Sequence, residues 1–150
     1  MADMTEVAFH FNATEKINYA CRLLRKALNA SAKVVVVGPH ELIHALDTAL
    51  WRFSATSFIA HCMADTLPGV LKNSPVVLLP SDRLPLDLPH HHVLLNLGAD
   101  LVQGFESFEK LIEVVTQDDQ DRLQARSRWK HYADRGYPLV RHDLSLKASL

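Results

Sequence analysis

The chain has 150 residues, 48% of them apolar and 22% charged, and a formal net charge of -1. That is the composition of a globular fold long enough to bury a sizeable core, expected as one domain over residues 1–150. No apolar run approaches the roughly 20 residues that a membrane-spanning helix needs, so no membrane partner is expected.

Val7-Ala8-Phe9-His10-Phe11 reads as a first strand. Asn12 and Glu15, three apart, have the form of a capping box, Asn12 taking an orphan amide and Glu15 returning the bond. Behind it Ile17, Ala20, Cys21, Leu24 and Leu28 recur at helical spacing, which predicts an amphipathic helix over 14–29. Val34-Val35-Val36-Val37 has no alternation and suits a strand buried on both faces. Gly38-Pro39 stops it, and a second helix runs through Leu42, Leu46, Leu50 and Trp51. A third strand is expected at Ser57-Phe58-Ile59-Ala60-His61. Residues 62–89 hold five of the seven prolines and enclose a strand, Val76-Val77-Leu78-Leu79; another is Val93 to Leu97, closed by Gly98. Leu111 to Val115 either ends a helix or forms a last strand, and periodicity leaves both open. Asp118 or Asp119 caps a helix running to about Asp134, and Gly136 ends it. The β-α-β-α-β alternation predicts an α/β fold, a parallel or mixed sheet with helices on both faces.

Such a sheet raises the expectation of a nucleotide or an active site at its strand ends. The residues for either are missing. The turn after the first strand, Asn12-Ala13-Thr14, has no glycine to let a backbone approach a pyrophosphate, and no Walker-type phosphate loop occurs. Gly38 is followed by Pro39, which removes an amide donor. His40 and His44 stand at ligand spacing and His90-His91-His92 are contiguous, but neither set joins a Cys pair or an H-E-x-x-H arrangement. His61 and Cys62, adjacent on a strand, face opposite sides. No catalytic residue, metal or cofactor is expected. The first ten residues carry two acids and no basic n-region, so they do not read as a signal peptide. Cys21 and Cys62 are accordingly expected to be reduced thiols of a cytoplasmic protein.

The segment from Arg122 to His142 holds six cations (Arg122, Arg126, Arg128, Lys130, Arg135, Arg141) against one acid, Asp134, with Trp129, Tyr132 and Tyr137 among them. At about 100° per residue, Arg122, Arg126, Trp129 and Ala133 fall within one arc of a helix, with Ala125 and Tyr132 on its shoulder. Three readings stay open. The aromatics can pack into the core and leave the arginines as a solvated flank. The face can instead take an acidic ligand with an apolar end, a guanidinium forking a carboxylate beside the aromatic. Single-stranded DNA stacked on Trp129 and Tyr132 is the third, although a short basic segment at a pI of about 6.7 lacks the broad patch that phosphate binding uses.

Leu46-Asp-Thr-Ala-Leu-Trp51, Ser57-Phe-Ile-Ala-His61, Val93-Leu-Leu-Asn-Leu-Gly98, Glu113-Val-Val115, Ala125-Arg-Ser-Arg-Trp-Lys-His-Tyr132 and Gly136-Tyr-Pro-Leu139 together resemble the chi subunit of bacterial DNA polymerase III, a clamp-loader accessory protein. The resemblance covers nearly the whole chain in the family's order, and it favours a strand at Leu111 to Val115. It implies a single Rossmann-like α/β domain, with a mostly parallel sheet flanked by helices and no nucleotide-binding motif. It implies no catalysis and no cofactor. The partners it implies are the psi subunit and the acidic C-terminal tail of single-stranded DNA-binding protein, which ends in Pro-Phe and a free carboxylate. Clamp loader and DNA are reached indirectly. By position, Arg122 (lysine in some members), Arg126 and Trp129 (tyrosine in some) match the tail pocket, and Val115 is a candidate wall. The resemblance assigns Arg126 to the terminal carboxylate and Arg122 to the upstream acids. Between Val115 and Arg122 the chain is shorter and more acidic than in some members, which sets Asp118 or Asp119 near a cation. Trp51, Phe58 and Ile59 are the candidates for the psi contact. The alternatives are a direct single-stranded DNA-binding module and a nucleotide-using α/β enzyme with an atypical site.

Overall fold

The computed structural model describes residues 4–52, 61–63, 74–80, 84 and 88–147. Along them run β1 (Glu6–Ala13), α1 (Lys16–Asn29), β2 (Val34–Val37), α2 (His40–Arg52), β3 (His61–Met63), β4 (Val76–Leu79) and β5 (Val93–Asn96). A 3-10 turn (Phe105–Ser107), β6 (Lys110–Thr116), α3 (Asp119–Asp134), β7 (Leu139–Asp143) and α4, a single turn at Leu144–Lys147, complete the order. The sheet is ordered β3-β4-β2-β5-β6-β1-β7, and every pairing in it is parallel.

Val34 to Val37 are at most 2% exposed. Alternate residues of β2 therefore feed two separate cores, which is why the run is apolar without alternation. On one face Val34, Val36, Val76, Leu78 and Leu95 meet Leu24 of α1 and Ile43 and Leu46 of α2. On the other, Val7, Phe9, Val35, Val77, Leu94 and Leu111 meet Phe105, Phe108, Ala125 and Tyr132, so α3 and the 3-10 turn cover that side. Each large side chain so buried contributes about 1.5–3 kcal/mol.

The structure settles Leu111 to Val115 as strand, within β6, and makes Asp118 the cap of α3 through a bond from the Asp121 amide at 3.1 Å. Other expectations need correcting. Asn12 is not a helix cap: β1 continues through it with φ at 67°, and the register with β6 shifts between His10 and Ala13. Glu15 caps α1 instead, accepting from the amides of Ile17 and Asn18 at 2.8 and 2.9 Å, so the helix starts at Lys16. The second helix runs as expected through Leu42, Leu46, Leu50 and Trp51, with Ile43, Leu46 and Leu50 buried, Leu42 half-buried and Trp51 exposed. Of the expected third strand, residues 57–60 lie outside the described residues; β3 begins at His61 and runs on to Met63. β7 was not foreseen. Gly136 at φ 77° ends α3 in a Schellman turn, with Tyr137 N–H on the Tyr132 carbonyl and Gly136 N–H on Ala133, both 3.1 Å. The chain then returns beside β1, pairing Phe9 with Arg141.

Candidate functional site

β1, β6 and β7 end together at the carboxyl edge of the sheet, and α3 leaves from the same edge. Phe9 and Phe11, two apart in β1, share a face; Val115 and Thr116 end β6; Arg122, Ala125, Arg126 and Trp129 repeat at three- and four-residue spacing on α3. With Asn12 and Arg141 they line a cleft of about 490 Å³. The four residues matched to a tail pocket, Arg122, Arg126, Trp129 and Val115, are thus brought together. None of the lining residues is acidic.

The aromatic wall is built from two elements. Trp129 meets Phe9 edge-on, ring centroids 5.1 Å apart at 63°, and Phe9 in turn meets Tyr132 at 6.0 Å. Arg141 places its guanidinium 5.1 Å from the Phe11 ring centre and 6.0 Å from that of Trp129. Arg122 Nη2 donates to Asn12 Oδ1 at 2.8 Å, and Asn12 Nδ2 donates to Asp143 Oδ1 at 2.8 Å. The Asn12 side-chain amide thereby joins α3 to β7. Bonds from Ser145 and Asn12 hold the Asp143 carboxyl below the usual carboxylate range.

The root of α3 is pinned by Asp121. Its Oδ2 accepts from the Thr116 amide at 2.8 Å and the Thr116 hydroxyl at 2.9 Å, while Lys16 Nζ stands 3.4 Å from Oδ1. Burial pushes this carboxyl up, but the Thr116 bonds and Lys16 outweigh it and its pKa is lowered. Neither Asp118 nor Asp119 lines the cleft, and Asp118 is occupied as the cap.

The basic segment does not act as one patch. Arg128 is 3% exposed and points under the helix, where its Nε lies 3.2 Å from Oε1 of the fully buried Glu113 and its Nη1 donates to the Ala99 carbonyl. Glu113 also accepts from Asn96 Nδ2 at 2.8 Å and from the Tyr132 hydroxyl at 2.5 Å. Burial pushes the Glu113 carboxyl up, with Arg128, Tyr132 and Asn96 pulling against it. Tyr132 is 0% exposed, and burial and then Glu113 push its hydroxyl far up, so it stays a donor. As a core residue it cannot serve as a stacking platform for DNA bases, which removes one of the two rings that reading invoked. The core reading of the segment holds for Tyr132, and in part for Trp129, which is half-buried and packs against the same core while also lining the cleft.

Arg141, Phe9, Phe11 and Asn12 join the site without having been foreseen. The spacing of Phe9 and Phe11 was a usable signal for a shared strand face; Arg141 had none, because its strand was not recognised. At the other candidate surface Trp51 is 60% exposed, its ring 4.9 Å from that of His61, whose Nε2 lies 2.9 Å from Asp47 Oδ1. Phe58 and Ile59 lie outside the described residues. His40 and His44 stack with ring centres 6.1 Å apart, and among the described residues no group of three or more His, Cys, Asp or Glu could hold a metal. Cys21 is buried, its thiol pushed up to about 11. Among the described residues no helix is long and apolar enough to cross a membrane.

The family model for "DNA polymerase III chi subunit, HolC" matches residues 4–140. The chain belongs to the chi subunit family. The chi subunit of Pseudomonas aeruginosa DNA polymerase III is 29% identical over 149 residues, which is 94% of this chain and 98% of the relative. That of Haemophilus influenzae is 26% identical over 121 residues, 80% of this chain and 81% of the relative. Membership supports an accessory role in the replisome. The chi match takes in Trp51, Val115, Arg122, Arg126 and Trp129 and ends at Val140, one residue before Arg141.

Proposed function

We propose that the chain is a non-catalytic replisome accessory subunit that binds the acidic C-terminal tail of single-stranded DNA-binding protein and links it, through psi, to the DNA polymerase III clamp loader. The observation that carries this reading is the cleft itself: three guanidinium groups and an aromatic wall converge on a space that no acidic side chain lines. An acidic peptide ending in an apolar residue and a free carboxylate matches both halves. Its aromatic end packs against Trp129 and Val115, Arg126 takes the terminal carboxylate, and Arg122, steadied by Asn12, faces the upstream acids. Trp51, an exposed ring at the far end of α2, is the candidate for the psi contact, since exposed aromatics favour partner surfaces.

One anchored ring contributes about 1.5–3 kcal/mol and each exposed ion pair about 0–1 kcal/mol. Together the ring and three such pairs supply at most about 6 kcal/mol, which corresponds to binding in the range of roughly tens of micromolar. Titrating wild type and Arg126→Ala with an acidic peptide ending in Pro-Phe, followed by Trp129 fluorescence or calorimetry, tests the reading. Binding in that range, lost in the variant and with a peptide lacking the last phenylalanine, is expected. No binding by intact protein overturns it.

A further inference from the structure

We infer that Arg141 is a specificity-determining residue of the cleft, reading the free C-terminal carboxylate of the bound peptide from the strand side while Arg126 reads it from the helix side. The inference rests on the tail-binding reading and assigns to it a residue beyond the span that the family match covers.

Three observations carry it. First, Arg141 is the cation in contact with the aromatic wall, 5.1 Å from the Phe11 ring centre and 6.0 Å from that of Trp129. The terminal residue of a peptide carries its side chain and its carboxylate on the same Cα. A cation lying against the rings that receive the side chain is therefore within reach of the carboxylate. Second, a guanidinium held over rings keeps its in-plane N–H groups available, and these form the fork that matches a carboxylate. Third, the neighbouring groups are already engaged. Arg122 donates to Asn12, and the Asp143 carboxylate, two residues along β7 and attracted to Arg141, takes its hydrogen bonds from Asn12, from the Ser145 amide and from the Ser145 hydroxyl. Arg141 is exposed on an edge strand that pairs with β1 alone, so replacing it leaves the core untouched.

The test pairs a change in the ligand with a change in the protein. The acidic peptide is prepared with a free C-terminal carboxylate and as the C-terminal amide, and both are titrated into wild type, Arg141→Gln, Arg141→Lys and Arg126→Ala. Amidation is expected to weaken wild-type binding at least about tenfold, because it removes a charge-assisted fork. In Arg141→Gln that penalty is expected to shrink to about threefold or less, with Arg126 supplying what remains. Arg141→Lys should recover part of the affinity for the free acid, since a charge without a fork is half of what the site uses. An amidation penalty in Arg141→Gln equal to that of wild type overturns the inference, as does wild type binding both peptides equally. Wild type binding neither peptide overturns the tail reading itself and the inference with it.

Discussion

Arg126 and Arg128 stand two positions apart on α3 and answer to opposite environments. Arg126 is exposed at the cleft; Arg128 is 3% exposed against a glutamate that is fully buried. Removing one partner of a buried pair leaves the other charge uncompensated, a cost of about 3–5 kcal/mol. Arg128→Met is expected to destabilise the fold by that amount in urea denaturation. Arg126→Met should stay within about 0.5 kcal/mol, as surface changes usually do, while losing peptide affinity. The reverse ranking would mean that the basic segment has been divided wrongly. Part of this division was legible in the sequence. A lone acid among Leu111, Ile112, Val114 and Val115 needs a buried cation to satisfy it, and Glu113 was visible there. Which of six cations answers it was not, because the choice depends on how α3 is rotated over β6, a tertiary fact that spacing along the helix does not contain.

Asp121 acts at the level of elements, tying the start of α3 to the end of β6 through Thr116 and to the start of α1 through Lys16. Its carboxyl is lowered in the folded state. It therefore contributes stability that is fully present above its ordinary value of 3.8 and is lost as the pH falls through the lower folded value. Charge-assisted bonds of this kind are worth about 1.5–3 kcal/mol. Asp121→Asn should be less stable than wild type by about that amount at neutral pH, and the gap should narrow as urea titrations move to lower pH, below 3.8. A gap that stays constant with pH would mean that the carboxylate form plays no part. The elements that Asp121 joins were readable to different degrees. β2, β4 and β5 declared themselves through unbroken apolar runs, and α3 through a capping acid and a closing glycine. β7 did not, since an edge strand carrying Arg141, His142 and Asp143 buries too little to show a period. Asn12 is a favoured cap and Glu15 is not, and sequence alone could not tell that β1 overruns the first and leaves the cap to the second.

Across the whole molecule 16 basic and 17 acidic side chains nearly cancel, so no net field draws an acidic partner toward the protein. The attraction is local. Arg122 and Arg126 come from α3 and Arg141 from β7, and the space between them is lined by apolar, amide and hydroxyl groups, with no carboxylate among the lining residues. Exposed pairs contribute up to about 1 kcal/mol each, so three of them supply at most about 3 kcal/mol. The screening length shortens from about 10 Å at 0.1 M salt to about 3 Å at 1 M, which takes away roughly half of that. Peptide affinity should accordingly fall about tenfold between about 50 and 500 mM sodium chloride and then level off, the plateau being the apolar contact with Trp129. Arg126→Gln should flatten the slope, and removing the terminal phenylalanine should lower the plateau while keeping the slope. Titrations of wild type, the variant and the shortened peptide at five salt concentrations separate the two contributions. A salt-independent affinity would assign the binding to the aromatic wall alone and leave the gathering of cations at this edge of the sheet unexplained.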